Sequence, residues 1–78
     1  MTLLVENDGS IRIITLNRPE KLNSITLEMA TELNKAVKDA EKDNSVKCLV
    51  ITGKGRAFSS GGDVNEMGKH LPKAGDLF

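Results

Sequence analysis

The chain has 78 residues, room for one domain near the lower size limit for a self-sufficient apolar core. With two Phe and no Trp or Tyr, that core must be built from Ile, Leu, Val and Ala, and no aromatic platform exists for stacking nucleic-acid bases. Eleven basic residues balance eleven acidic ones, and this zero net charge excludes the electrostatic footprint of a nucleic-acid or membrane-surface binder.

The one cysteine, Cys48, has no partner for an internal disulfide, which fits a reducing compartment. The first seven residues, Met1 to Asn7, have neither a basic lead nor a long apolar stretch, so no secretory signal is read there. The longest apolar run, Cys48 to Ile51, is far too short to span a bilayer. The expectation is a soluble cytoplasmic protein.

Leu3 and Val5 alternate with polar neighbours, as do Ile11, Ile13 and Thr15, with Ile14 and Leu16 on the opposite face. Asn7-Asp8-Gly9-Ser10 lies between them and tolerates positive φ, so residues 3–17 read as a β-hairpin. Asn17-Arg18-Pro19 ends its second strand, because Pro19 has no N–H to give a ladder and restricts Arg18. From Thr26 to Asp43 the period becomes helical. Met29, Ala30, Leu33, Ala36, Val37 and Ala40 form an apolar stripe, with Glu28, Glu32, Lys35, Lys38, Asp39 and Lys42 opposite. Thr26 is the expected N-cap, with Ile25 placed to staple against the first turn. Asn44-Ser45 ends the helix. Residues 46–52 follow as a strand whose unbroken apolar centre predicts burial on both faces, central in a sheet and parallel to residues 11–17. Strand, helix and strand then make a right-handed βαβ unit behind a hairpin strand.

Next comes Gly53-Lys54-Gly55-Arg56-Ala57-Phe58-Ser59-Ser60-Gly61-Gly62, holding four of the seven glycines. A glycine-rich turn after a parallel strand is where α/β proteins hold ligands. A dinucleotide fingerprint fails because Phe58 stands at the third glycine. A phosphate loop fails because Ser60 stands at the second glycine and no lysine follows. Small residues that expose backbone N–H groups to an anion or a developing oxyanion remain. Asp63 and Glu66 have capping-box spacing, so a short helix is expected from Asp63, its positive end toward the loop. That capping role, rather than acid–base chemistry, accounts for both carboxylates.

Asn17-Arg18-Pro19-Glu20-Lys21-Leu22-Asn23-Ser24-Ile25 resembles the N-R-P-x-x-x-N-A-L stretch of the enoyl-CoA hydratase/isomerase (crotonase) family. Residues 52–67, TGKGRAFSSGGDVNEM, resemble that family's T-G-x-G-x-A-F-x-A-G-x-D loop. The resemblance covers residues 1–68, about the first third of a typical member. It implies a mixed α/β, ClpP/crotonase-like ββα spiral fold, of which residues 1–78 would form one partial domain with 69–78 as a loosely held tail. It also implies that backbone groups of Lys21, Leu22, Asn23, Ser24 and Ile25 hold coenzyme A. Ser60, Gly61, Gly62, Asp63 and Val64 would add further contacts. The Gly62 N–H would be one of two oxyanion donors to a thioester carbonyl, and Ser60 stands where the family more often has Ala. The loop glycines would then serve close approach of the backbone to that thioester. The family's second donor and its proton-transferring glutamates lie further along than Phe78, so this chain alone is expected to be inactive.

The implied reaction is hydration or double-bond isomerisation of an enoyl-CoA in fatty acid metabolism, by a homo-oligomer (a trimer or hexamer in the full-length family). Coenzyme A would enter with the substrate, with no permanently bound cofactor. The competing reading is a catalytically incomplete CoA-binding or assembly module, and a nucleotide-binding module ranks third. Cys48 reads as a small core residue. His70 has no ligand-spaced Cys, Asp or Glu cluster around it, and no metal site is expected. Arg18, Lys21, Lys54 and Arg56 read as solvated surface cations, with Lys21 alone brought near the coenzyme by the resemblance.

Overall fold

The computed structural model describes residues 1–63. The expected helix from Asp63, the capping partner Glu66, the candidate Val64 and the tail at 69–78 lie outside the described residues beyond Asp63 itself. Strand β1 (Leu3–Asp8) pairs antiparallel with β2 (Ile11–Leu16), helix α1 (Leu27–Lys42) follows, and β3 (Cys48–Gly53) runs parallel to β2. The sheet order is β1-β2-β3. The hairpin turn is tighter than expected. Asn7 and Asp8 belong to β1, opposite Arg12 and Ile11, and only Gly9 and Ser10 turn the chain, with Gly9 at φ +62°. Asn7 stays in the strand because its Oδ1 accepts from Arg12 Nε at 2.8 Å.

The ends of α1 follow from local chemistry. Thr26 Oγ1 accepts the Met29 N–H at 3.1 Å, capping one of the first-turn donors. At the other end the Asp43 N–H donates to the Ala40 carbonyl. The Asp43 carboxylate accepts from Ser45 Oγ (2.6 Å), the Ser45 N–H (2.9 Å) and Arg12 Nη2 (2.9 Å). These bonds, those from Ser45 first, hold the Asp43 carboxyl below the usual Asp range. The helix stop is thereby tied to the start of β2.

Alternation along the strands puts Leu3, Ile14, Leu16 and Leu49 on the face that α1 covers. Leu3, Ile14, Leu16 and Met29 form the buried cluster, with Ile25, Leu33, Ala36, Val37 and Leu49 packed against it. Ile14, Leu16 and Met29 are almost wholly removed from water, each stabilising the fold by about 1.5–3 kcal/mol. Of the expected stripe of α1, Met29, Leu33, Ala36 and Val37 join or pack against this cluster and Ala40 is buried, whereas Ala30 is exposed.

The environment of β3 is not the expected one. Among the described residues it is an edge strand rather than a central one, with Val50 39% and Ile51 38% exposed, and Cys48 is exposed rather than a core residue. One geometric fact accounts for Cys48 and Val50 among the described residues. Cys48 and Val50 pair with Ile11 and Ile13 on the sheet face away from α1, which nothing described covers. A cavity of about 210 Å³, lined by Val37, Ala40, Val46, Cys48 and Leu49 among others, lies between the end of α1 and the start of β3. Among the described residues no helix is long and apolar enough to cross a membrane.

Candidate functional site

Strand β2 stops at Leu16, and the chain turns through a short 3-10 helix at Pro19–Lys21 that the sequence pattern did not reveal. Lys21 and Leu22 N–H groups donate back to Arg18 and Pro19 carbonyls at 3.0 and 3.1 Å. Leu22 (φ 52°) and Asn23 (φ 54°) then both take the left-handed conformation, which costs a non-glycine residue about 1–2 kcal/mol. The turn is held against that cost by the bonds around Asn23.

Asn23 is fully buried. Its Nδ2 donates to the carbonyls of Lys54 (2.9 Å) and Ala57 (2.8 Å), and its Oδ1 accepts the Arg18 N–H at 2.8 Å. Its own N–H donates to the Arg18 carbonyl at 2.8 Å, and its carbonyl accepts from Ser59 Oγ at 2.8 Å. Every polar group of this buried residue is thus satisfied, and all five bonds tie the first motif to itself or to the second. Gly53 shows why the loop needs a residue without a side chain. A Cβ there would stand 2.3 Å from the Phe58 carbonyl oxygen and 2.5 Å from that of Ala57. The close approach at Gly53 is by the protein's own carbonyls, not by a ligand as the resemblance implied for the loop glycines.

The two motifs meet edge to edge. The Ser60 N–H donates to the Leu22 carbonyl (2.9 Å), the Ile25 N–H to the Gly61 carbonyl (2.8 Å), and the Asp63 N–H to the Ile25 carbonyl (2.9 Å). Ile25 and Gly62 form a parallel bridge. In such a bridge Ile25 bonds to the residues before and after Gly62, so the Gly62 N–H points away from Ile25. Gly62 is exposed, and the Gly61 N–H is taken by Ser59 Oγ at 3.0 Å. Between Ser60 and Asp63, Gly62 alone has an N–H without a hydrogen-bond partner among the described residues.

Lys21 to Ile25 behave differently. All five backbone N–H groups are engaged within the protein, and each carbonyl already accepts one bond. What this segment has left for a ligand is the second lone pair of its carbonyls.

Arg18 is not the solvated surface cation expected. Its side chain is only 16% exposed, and Nη1 donates to the Ser24 carbonyl (2.7 Å) and Ser24 Oγ (3.1 Å) while facing Asp63 Oδ2 at 3.4 Å. The reason is its place at the head of the turn, where its guanidinium bridges the first motif to the end of the second. No local signal reveals a pair 45 positions apart. Nor does any local signal reveal that the Asn23 side chain and the Ser59 hydroxyl join the two motifs. Lys21, Lys54 and Arg56 are exposed, as solvated cations should be.

Residues 11–76 match the family model described as "Enoyl-CoA hydratase/isomerase". The chain is 47% identical over 62 residues to probable 3-hydroxyisobutyryl-CoA hydrolase 2 of Arabidopsis thaliana, covering 80% of this chain and 16% of that one. It is 41% identical over 64 residues to 1,2-epoxyphenylacetyl-CoA isomerase of Escherichia coli (strain K12), covering 82% of this chain and 24% of the relative. A crystal structure of an enoyl-CoA hydratase/isomerase from Mycobacterium paratuberculosis superposes with a TM-score of 0.78 at 50% identity, over 82% of this chain and 25% of that one. The expected crotonase-like fold therefore holds, and the chain spans a quarter or less of the length of these proteins. With two thirds of its residues or more matched in each case, the chain belongs to the enoyl-CoA hydratase/isomerase family.

Proposed function

We infer that this segment binds a coenzyme A thioester and places the Gly62 N–H against its carbonyl oxygen, in hydration or double-bond isomerisation of an enoyl-CoA. The observation that carries this reading is the outward-facing Gly62 N–H, unpartnered among the described residues between neighbours that are bonded. In either reaction, electron density moves onto the thioester oxygen as an enolate forms. A fixed N–H dipole aimed at that oxygen lowers the barrier without reorganising, and one such donor is worth about 3–4 kcal/mol. Carbonyls of Lys21 to Ile25 would accept from donors of the coenzyme, with Ser60, Gly61, Asp63 and Val64 completing the contact surface and Lys21 near its phosphates. Coenzyme A arrives as part of the substrate, and the reading invokes no resident cofactor. A second oxyanion donor and the carboxylates that move protons are assigned by the resemblance to residues outside these 78. Action in fatty acid metabolism, in the cytoplasm and as a homo-oligomer, extends the same reading.

The test is a titration of the purified chain with acetyl-CoA and with free coenzyme A. Gly62→Pro deletes the donor, while Gly62→Ala keeps it. The thioester should bind more tightly than free coenzyme A to the parent chain and to Gly62→Ala, and that preference should vanish in Gly62→Pro. Equal affinities for both ligands in the parent chain would contradict an oxyanion role. Turnover of crotonyl-CoA by the same protein separates an enzyme from a binding module.

A further inference from the structure

The N–H groups around Gly62 are disposed of one at a time. Those of Ser60 and Asp63 go to carbonyls of the first motif, but that of Gly61 goes to a side chain, Ser59 Oγ, at 3.0 Å. The same hydroxyl donates its proton to the Asn23 carbonyl at 2.8 Å. Ser59 is half-buried, and Asn23 is fully buried and bonded on every polar atom. Gly61 sits at φ +103°, a conformation held by bonds on both sides, its N–H to Ser59 and its carbonyl to Ile25.

We propose that Ser59, seated on Asn23, is a positioning residue that selects Gly62 as the single outward N–H donor between Ser60 and Asp63 among the described residues. Ser59 has both jobs at once. Accepting from Gly61 removes a competing donor one residue from Gly62, and donating to Asn23 anchors the loop to the left-handed turn. Asn23 supplies the fixed base, because its side chain grips the loop at Lys54 and Ala57 before the chain reaches Ser59. Without the hydroxyl, the Gly61 N–H is released into the site and Gly61 loses one of its two tethers. A ligand oxygen then meets two adjacent, loosely held donors in place of one fixed donor. This proposal rests on the thioester reading of Gly62 for its chemical consequence, but the hydrogen-bond selection itself is a property of the loop alone.

The two parts are measured separately on the 78-residue chain. Amide-proton temperature coefficients read the loop without any ligand: Gly61 should behave as a bonded amide and Gly62 as a free one. In Ser59→Ala the Gly61 amide should become free-like, and in Ser59→Thr, which keeps the hydroxyl, it should stay bonded. Titrations then read the consequence. Ser59→Ala should reduce the preference for acetyl-CoA over free coenzyme A roughly tenfold, as expected when the fixed geometry that makes one hydrogen bond effective is lost. Affinity for free coenzyme A should hold within about twofold, and Ser59→Thr should restore the preference. Asn23→Asp keeps the acceptor for the Arg18 N–H but turns a carboxylate toward two carbonyls, and should lose the folded loop altogether. An unchanged Gly61 amide in Ser59→Ala overturns the selection. A released Gly61 amide with the thioester preference intact, or an equal loss for both ligands, overturns its role in ligand placement. Absence of any binding by the parent chain overturns the thioester reading and that role with it, while the amide coefficients still decide the selection.

Discussion

Adding one methyl group at Gly53 should do more damage than its size suggests. The Cβ of Gly53→Ala would lie 2.3 Å from the Phe58 carbonyl oxygen and 2.5 Å from the Ala57 carbonyl oxygen, distances that real side chains do not reach. Backbone must therefore move. The Ala57 carbonyl is also one of the two acceptors for the buried Asn23 amide, at 2.8 Å, and cannot retreat without leaving an N–H of Asn23 unpaired. Overpacking costs about 1–3 kcal/mol. An unpaired buried donor adds about 1–3 kcal/mol, so the sum is about 2–6 kcal/mol. A domain of this size has a total stability of only about 4–12 kcal/mol at the usual 0.05–0.15 kcal/mol per residue. Urea denaturation followed by far-UV circular dichroism should show the midpoint collapse or the cooperative transition disappear. A Gly53→Ala chain within about 0.5 kcal/mol of the parent, the usual range for surface changes, would refute the close approach and the Asn23 linkage together.

Ile14→Asp should abolish cooperative unfolding, because it places a charge at a position with no exposure. Val50→Asp, on the uncovered sheet face at 39% exposure, should leave a measurable transition. Equal damage from both, in thermal melts, would put α1 on the wrong face. The Asp43 carboxyl is held below its ordinary range, so its contribution is present in full above about pH 3.9, the unfolded value, and is lost as pH falls through the lower folded value. Asp43→Asn should therefore flatten the pH dependence of stability below about pH 4 and leave its shape at neutral pH unchanged. A difference in slope centred near neutrality would show that another group carries the effect.

Features written in local chemistry were legible from the sequence. The glycine turn after Asp8, the stripe from Met29 to Ala40 and the Thr26 cap each rest on spacings of no more than four positions between successive residues. The parallel pairing of β3 with β2 was also legible, since a helix of that length between two apolar strands leaves few alternatives. The surroundings of β3 were not. An apolar run such as Cys48 to Ile51 states that both faces tolerate burial, but not which faces the described residues cover. The site divided in the same way. The glycine-rich loop announced a close approach to backbone, yet at Gly53 the approaching group is the Phe58 carbonyl rather than a ligand. Arg18 with Asp63, Asn23 with Ala57 and Ser59 with Asn23 join positions 34 to 45 apart. Only the folded geometry brings such pairs together, and the charge of Arg18 alone reads as solvated surface.

The central claim is that the Gly62 N–H meets the carbonyl oxygen of a thioester. Its most direct test is the amide proton shift of Gly62 in a nitrogen-15-labelled chain titrated with acetyl-CoA and, separately, with free coenzyme A. Acetyl-CoA should move the Gly62 amide proton downfield as it acquires an acceptor, and free coenzyme A should leave it in place while shifting signals from Lys21 to Ile25. A Gly62 amide that ignores acetyl-CoA at concentrations that shift those neighbouring signals would contradict the claim.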